Sequence, residues 1–202
     1  MTSLFTASRS TGSAAQGFTL IEMLIVVLIG SILAAVAAPS LISVIESNRR
    51  TLISNQLMED LVFARRQALA LSTSVALCGS NSTQPNECIA KNGSSADWSN
   101  GWYTYIGKSA GLTPASEAAG LVLRSPQALP SGWKVDAYLS DPGTYVYVDA
   151  LSNTNKYGHF TIYRSGSTSR TAACVTVNSA GRARLSTASV ASGTVSSTND
   201  PC

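Results

Sequence analysis

The chain has 202 residues, of which 12% are charged, and its formal net charge of +3 is too small to indicate a partner by itself. Sparse charge combined with many Ser, Thr, Gly and Asn residues favours an exported β-rich domain over a cytosolic enzyme. The length allows one modest domain after an N-terminal segment, with no internal repeat.

Residues 18–38 form an apolar run in which Glu22 is the only charged side chain. The run is close to the roughly 20 residues that a helix needs to cross a bilayer. Small residues, 14–17, precede this run, whereas an ordinary secretory signal has its cleavage site after the apolar core. A carboxylate inside a membrane helix costs on the order of 2.5 kcal/mol or more. We therefore expect Glu22 to pair with a cation on another molecule, since none lies near it in its own helix.

The hexapeptide Gly17-Phe18-Thr19-Leu20-Ile21-Glu22 resembles the class III signal of type IV pilins and type II secretion pseudopilins. The resemblance implies that residues 1–17 are a leader, which prepilin peptidase removes between Gly17 and Phe18. It also implies that Phe18 becomes N-methylphenylalanine and that Glu22 pairs with the terminal ammonium of a neighbouring subunit. Such a pair specifies register, because a misplaced subunit leaves both charges unpaired. The alternative is a plain single-span anchor.

The helix is predicted to cover residues 18–38 and to continue as an amphipathic helix over residues 39–72. Gly30 weakens a helix, and Pro39 removes a backbone hydrogen bond. We therefore predict a kink in this part of the helix.

Beyond Pro39 the apolar residues fall on one stripe, which we expect to lie against a sheet. The members of the stripe are Ile53, Leu57, Leu61, Ala64, Ala68 and Leu71. The charged residues of this helix, Glu59 and Asp60 among them, are interpreted as a solvated face.

Residues 73–202 carry a series of short β-branched or aromatic segments that predict antiparallel strands and hence an α+β fold. The predicted strands are 74–78, 102–106, 121–124, 133–138, 144–148, 159–163 and 173–177. The Ser- and Thr-rich tail from Ser186 to Asp200 is predicted to be mobile. His159 lies in a strand pattern and is interpreted as a packed or edge histidine.

Four cysteines following an export signal indicate disulfides. They allow three pairings, which the sequence leaves open. We favour Cys78–Cys88, which closes a loop around Pro85, and Cys174–Cys202, which ties the last residue to a strand. A metal site is the competing interpretation, but there is no C-x-x-C motif, and we expect no metal.

Four segments of the globular region resemble, in chain order, the helix end, first strand, Trp-rich turn and last strand of the GspH/FimT group of minor pilins and pseudopilins. These segments are 61–68, 75–78, 98–102 and 181–184. The resemblance implies a pilin fold, other pilins or pseudopilins as partners, and a single-pass inner-membrane protein that later enters a filament outside a Gram-negative-type bacterium. We expect the tryptophans of the turn to lie in the core.

The basic residues of the C-terminal third point to a possible ligand. From Leu151 to Asn199 there is no Asp or Glu, but there are Lys156, Arg164, Arg170, Arg182 and Arg184, so we predict that one end of the domain is basic.

Gly181-Arg182-Ala183-Arg184 places two guanidinium groups at i and i+2, on one face of a strand, where phosphate oxygens suit them. FimT-like minor pilins that take up DNA in natural transformation have a Gly-Arg-x-Arg of this form. We therefore predict that Arg182 and Arg184, helped by Arg164, Arg170 and Lys156, bind double-stranded DNA.

Two alternatives to DNA binding stay open. The arginines are also compatible with an ordinary solvated face. The protein is then a pilus-priming minor pilin, or a type II secretion minor pseudopilin that contacts only protein. Basic residues without an aromatic stacking platform favour double-stranded over single-stranded DNA, and Tyr157 and Tyr163 weaken that preference because bases stack on aromatic rings.

We do not expect an enzyme or a cofactor. The chain has one histidine, no nucleotide-binding Gly-rich loop, no recognisable Ser-His-Asp set and no clustered acids.

Overall fold

The computed structural model describes residues 17–81, 88, 95–107, 122–140, 145–149, 151, 154, 157–167, 170–191, 193–196 and 200–202. The chain divides into two units, one up to Val44 and one from Ile45 to Cys202. Most of the predicted leader lies outside the described residues.

Helix α1 spans Leu20–Leu71 and begins with a side-chain cap. The backbone N–H of Glu22 donates to Thr19 Oγ1 at 3.3 Å, which satisfies one of the free donors of the first turn. The helix continues without interruption through Gly30 and Pro39, so the residues at which we predicted a kink do not end it.

The part of α1 in the first unit exposes its apolar side chains. Its most apolar 18-residue window has a mean hydropathy of 2.7, and none of that window is buried. Large apolar side chains such as Leu20, Leu33 and Val36 are exposed. An exposed apolar surface of this size indicates contact with lipid or with other protein.

The part of α1 in the second unit buries the predicted stripe. Ile53, Leu57, Leu61, Ala64 and Ala68 are all buried. Leu71 is 47% exposed, so its inclusion in the stripe was wrong. The reason is the helix end. Ser72 has a left-handed φ of 49°, and the N–H groups of Ser72 and Thr73 bond back to the carbonyls of Leu69 and Ala68, a Schellman motif that turns the chain away.

Nine strands follow within the described residues. They are β1 Val75–Gly79, β2 Ala96–Asp97, β3 Trp102–Ile106, β4 Val122–Arg124, β5 Trp133–Leu139, β6 Tyr145–Val148, β7 Gly158–Arg164, β8 Thr171–Val177 and β9 Ala183–Ser189. All seven predicted segments contain a strand. The short β2 was not predicted, and β9 extends the expected last strand to Ser189.

The strands form two antiparallel sheets, with the orders β4-β3-β1-β6 and β2-β5-β7-β8-β9. One buried cluster joins the helix stripe to both sheets, including Trp98, Trp102 and Phe160. The tryptophans of the 98–102 turn are therefore core residues, as expected. Gly101 is required in that turn, because its φ is +88° and a Cβ would lie 2.5 Å from the carbonyl oxygen of Gln127.

The prediction of a mobile tail was wrong over much of its length. Ser186–Ser189 pair with β8, and Val190 and Val195 are buried against Tyr163 and Ala172. Backbone pairing and apolar burial hold this segment in place, although its composition is that of a linker.

Both favoured disulfides are present. Cys78 is bonded to Cys88 across 10 positions, and Cys174 to Cys202 across 28. The second bond ties the chain end to β8. In the chain-entropy model, disulfides that close loops of these lengths stabilise the folded protein by about 3 and about 3.5 kcal/mol.

Candidate functional sites

The predicted processing site lies at the start of the apolar helix. Gly17 and Phe18 are exposed and precede the first helical residue, so helical hydrogen bonding does not involve the bond between them. Glu22 is also exposed, and within the described residues its carboxylate has no cationic partner. The pattern Thr19-x-x-Glu22 is in addition a capping-box signature, a second role that our sequence analysis missed.

The predicted arginine site is built on the hairpin that joins β8 to β9. The Gly181 N–H bonds to the Asn178 carbonyl at 2.9 Å, and the Asn178 N–H bonds to the Arg182 carbonyl at 3.1 Å. Gly181 has a φ of +68°, as a three-residue hairpin loop with a left-handed last position requires. Asn178 Oδ1 also accepts from the Arg182 N–H at 2.9 Å, so hydrogen bonds hold both the N–H and the carbonyl of Arg182.

Arg182 lies just before β9 and Arg184 lies within it, opposite Thr176. Both arginines are exposed, while Ala183 between them packs against the core. This alternation is what places the two guanidinium groups on the outer side of the sheet. Among the described residues, no hydrogen bond or ion pair engages either side chain.

Arg164 does not belong to the same group of free cations. Its guanidinium forms an ion pair with Glu46, whose side chain is only 15% exposed, and Ser167 Oγ donates to the same carboxylate at 3.0 Å. No local pattern in the sequence indicates this acid, because it lies 118 residues away along the chain.

The prediction of one basic end is also wrong. Arg164 ends β7 and Arg170 precedes β8, so both lie at the turn between these strands. Arg182 lies beyond the opposite end of β8, roughly 20 Å or more from Arg170 at about 3.3 Å per residue. Lys156 lies outside the described residues. Among the predicted DNA contacts that it describes, the structure keeps Gly181, Arg182 and Arg184 together and separates them from Arg164 and Arg170.

The interpretation of the helix charges as a solvated face is wrong for Asp60, which is buried. Asp60 is 5% exposed, accepts from Trp102 Nε1 at 2.7 Å, and forms an ion pair with Arg124. Arg124 also pairs with Glu59 at 3.2 Å and lies 4.0 Å from the centre of the Phe63 ring. The polar groups of Glu59, Asp60, Trp102 and Arg124 line a cleft of about 550 Å³ and bond to one another within it.

The outer face of the five-stranded sheet also carries acids that the sequence analysis did not single out. Burial raises the pKa of Asp136, and the hydrogen bond from Tyr163 at 2.8 Å offsets this only in part. Asp200 accepts from Thr161 Oγ1 and lies 2.6 Å from His159 Nε2. Burial, followed by the charges of Asp200 and Asp136, raises the pKa of Tyr138 to about 12. The outer face is therefore acidic towards β5 and β7 and basic at β9.

No metal centre is formed by the described part of the chain. There, no group of three or more His, Cys, Asp or Glu side chains is placed to hold an ion.

A long apolar N-terminal helix followed by antiparallel sheets defines the pilin fold, the fold of filament subunits. The model of the family described as Type II transport protein GspH matches residues 54–181, and that of the prokaryotic N-terminal methylation motif matches residues 12–38. The chain belongs to the GspH family of minor pilins and pseudopilins.

A crystal structure of the type IV minor pilin FimU from Pseudomonas aeruginosa is similar to this chain. It has a TM-score of 0.51 and 15% identity, and the match covers 70% of this chain and 90% of FimU. A second crystal form of FimU matches with a TM-score of 0.45 and 16% identity, over 66% of this chain and 89% of that one. No curated protein matches the sequence. The fold, the apolar helix and the motif are consistent with a pilin that is anchored in the inner membrane before assembly.

Proposed function

We propose that this protein is a minor type IV pilin that binds DNA through Arg182 and Arg184 during natural transformation. The observation that carries the proposal is the pair of exposed guanidinium groups on one side of a braced hairpin, with no acid engaging them in the described residues. Two such groups repel each other unless an anion lies between them, and Arg binds phosphate oxygens in a bidentate manner. Arg164 is left out of the proposed site because Glu46 compensates its charge.

The binding we propose is weak, tolerant of sequence and dependent on salt. Each phosphate that an arginine neutralises contributes a slope of about −0.9 to log affinity against log salt concentration. Two arginines therefore contribute a slope of about −1.8.

The test compares two double variants that lose the same charge. Fluorescence anisotropy of a labelled duplex is measured against the full chain in detergent micelles, for Arg182→Gln with Arg184→Gln and for Arg164→Gln with Arg170→Gln. We expect the first variant to lose about tenfold or more in affinity and most of the salt slope, and the second to lose less than about threefold. Equal losses in the two variants, or none in the first, would overturn the DNA proposal.

We also propose that the chain is processed and assembled as a pilin. In this proposal prepilin peptidase cuts between Gly17 and Phe18, Phe18 is N-methylated, and Glu22 pairs with the terminal ammonium of a neighbouring subunit. The match to the N-terminal methylation motif and the exposed position of the Gly17–Phe18 bond support it. Mass spectrometry of the mature protein tests the cleavage, and a first residue other than Phe18 would refute it.

The two possible roles of Glu22 are separated by a matched pair of variants. Glu22→Gln removes the charge but keeps a side chain suited to the capping box, whereas Glu22→Ala removes both. We expect both variants to insert into the membrane and to be depleted from filaments. Normal incorporation of Glu22→Gln with loss of Glu22→Ala would assign the residue to helix capping instead of subunit pairing.

A second candidate is a pseudopilin of a type II secretion system, which the description of the matching family favours. Its assembly chemistry is the same, but its partners are proteins only. Deletion of the gene distinguishes the two functions. Loss of transformation supports the pilin, and loss of secretion with normal transformation supports the pseudopilin.

A further inference from the structure

The two arginines lie at one side of a strip of residues that crosses the outer face at the hairpin end of the five-stranded sheet. His159 of β7 pairs with Thr176 of β8, which pairs in turn with Arg184 of β9. Residues in register across neighbouring strands lie on the same face, so these three side chains form one row on the outer face. The row spans two inter-strand distances, about 10 Å.

A second row lies one step closer to the hairpin loop. Val177 of β8 pairs with Gly158 on one side and with Ala183 on the other. Tyr157 directly precedes Gly158, and Arg182 directly precedes Ala183. Tyr157 and Arg182 therefore lie at the same level of the sheet, again about two inter-strand distances apart.

The β7 side of this strip is aromatic. Tyr157 is 61% exposed, while hydrogen bonds between its backbone and Ser140 hold its position. His159 is fixed by a stacked contact with Tyr138 at 4.9 Å and by Asp200. This side therefore presents the exposed ring of Tyr157 next to the fixed ring of His159.

The polar groups between the two sides are already hydrogen-bonded. Thr176 Oγ1 donates to the Arg184 carbonyl at 3.4 Å, and Asn178 Oδ1 is engaged by the Arg182 N–H. Tyr163, the other tyrosine considered for stacking, is 7% exposed and donates to Asp136, so it cannot contribute.

An aromatic face opposite two cations matches the two recognisable parts of a nucleotide. Phosphates are attracted to the arginines, and a base stacks on an aromatic ring. A base offers its face only when it is unpaired and unstacked, whereas duplex DNA keeps its base faces covered. Asp136, and Asp200 beside His159, disfavour phosphates on the β5 and β7 side of the outer face, which leaves the arginine side as the attractive part.

We infer that this strip, defined by Tyr157, His159, Thr176, Asn178, Arg182 and Arg184, binds single-stranded DNA in preference to duplex DNA, with a base stacked on Tyr157. The inference rests on the proposed function, because the same two arginines hold the phosphates. It replaces the preference for double-stranded DNA that the sequence predicted, since the exposed Tyr157 lies beside the arginine pair.

The preference is measured with the full chain in detergent micelles and three labelled probes of equal length. The probes are an oligo-dT strand, a strand of abasic deoxyribose phosphates, and a duplex. We expect the wild-type protein to bind oligo-dT most tightly, and to bind the abasic strand more weakly because it has phosphates but no bases. This comparison needs no variant and is independent of any effect of mutation on folding.

The role of Tyr157 is tested by Tyr157→Ala, Tyr157→Phe and the control Leu151→Ala. Leu151 is 80% exposed on the same β6–β7 connection and has no ring. Tyr157→Ala is expected to weaken oligo-dT binding about 5- to 100-fold and duplex binding less than twofold, with Tyr157→Phe and Leu151→Ala close to wild type.

The outcomes separate this inference from the DNA proposal. Equal binding of oligo-dT and the abasic strand, or a Tyr157→Ala variant that keeps wild-type affinity for oligo-dT, would overturn the single-strand inference. If Arg182→Gln with Arg184→Gln still weakens binding of all probes in that case, the DNA proposal stands alone. If the arginine variant changes nothing, both are overturned.

Discussion

Four arginines of the globular unit, two paired and two unpaired, have opposite surroundings. Arg124 and Arg164 each meet a poorly exposed carboxylate, Asp60 and Glu46, which α1 supplies from far away in the sequence. Arg182 and Arg184 extend from a hairpin where the described residues supply no acid. Two regions of the same residue type therefore differ in role because the fold brings an acid to one and not to the other.

The largest loss of folding stability is expected when the ion pair between Arg124 and Asp60 is removed. Arg124→Met leaves the Asp60 carboxylate buried with Trp102 as its remaining partner among the described residues. Removing one member of a buried pair costs about 3–5 kcal/mol, and we expect about 2 kcal/mol here because the Arg124 side chain is 38% exposed. Chemical denaturation followed by tryptophan fluorescence measures this loss. Arg124→Lys is the control and should retain part of the stability, whereas an unchanged midpoint for Arg124→Met would show that the pair is not structural.

Asp136 is a buried acid without the kind of partner that Asp60 has. Its carboxyl accepts a hydrogen bond from the Tyr163 hydroxyl, whereas the Asp60 carboxylate pairs with the Arg124 cation. Burial first, offset in part by Tyr163, raises the pKa of Asp136 above its ordinary value of 3.8. The stabilisation that the protonated Asp136 carboxyl gives the folded state is complete below pH 3.8, and it is lost as pH rises through the raised pKa. Asp136→Asn resembles the neutral acid at every pH. We expect the variant to exceed wild type by about 1 kcal/mol at pH 7, a typical size for one substitution.

The pH dependence is the decisive part of that experiment. The difference between Asp136→Asn and wild type should shrink as pH falls towards 3.8. A difference that is constant with pH would mean that the change acts through packing and not through the charge of Asp136.

A smaller effect is expected at the second paired arginine. Arg164 is 44% exposed, so its ion pair with Glu46 is partly screened by water. Arg164→Gln should lower the free energy of unfolding by less than about 1 kcal/mol. A double-mutant cycle with Glu46→Gln measures the coupling, and a coupling near zero would place Arg164 with the unpaired arginines.

The smallest effect on stability is expected at the unpaired arginines. Arg182→Gln with Arg184→Gln should change the free energy of unfolding by no more than about 0.5 kcal/mol, because neither side chain is buried or paired among the described residues. Thermal unfolding measures this directly. A loss above about 1 kcal/mol would erase the contrast between the two regions and make these arginines structural.

Much of the architecture was predictable because it depends on local patterns. The apolar stripe of α1, the seven strand segments and the core position of Trp98 and Trp102 follow from helical spacing, alternation and residue type. The pairing of Cys174 with Cys202 also agreed with the expectation. The errors were of another kind. Leu71 is exposed because the helix ends there. Residues 186–189 form a strand because they pair with the edge of β8.

The sequence by itself determined the apolar anchor with Glu22, the α+β composition and the positions of the arginine pair, because each depends on residues within a few positions of one another. The tertiary structure alone decided which charges are compensated. Glu46 reaches Arg164 across 118 positions and Asp60 reaches Arg124 across 64, and chain folding alone brings such residues together. It also separated Arg170 from Arg182 and placed Tyr157 at the level of Arg182, because strand register sets these distances.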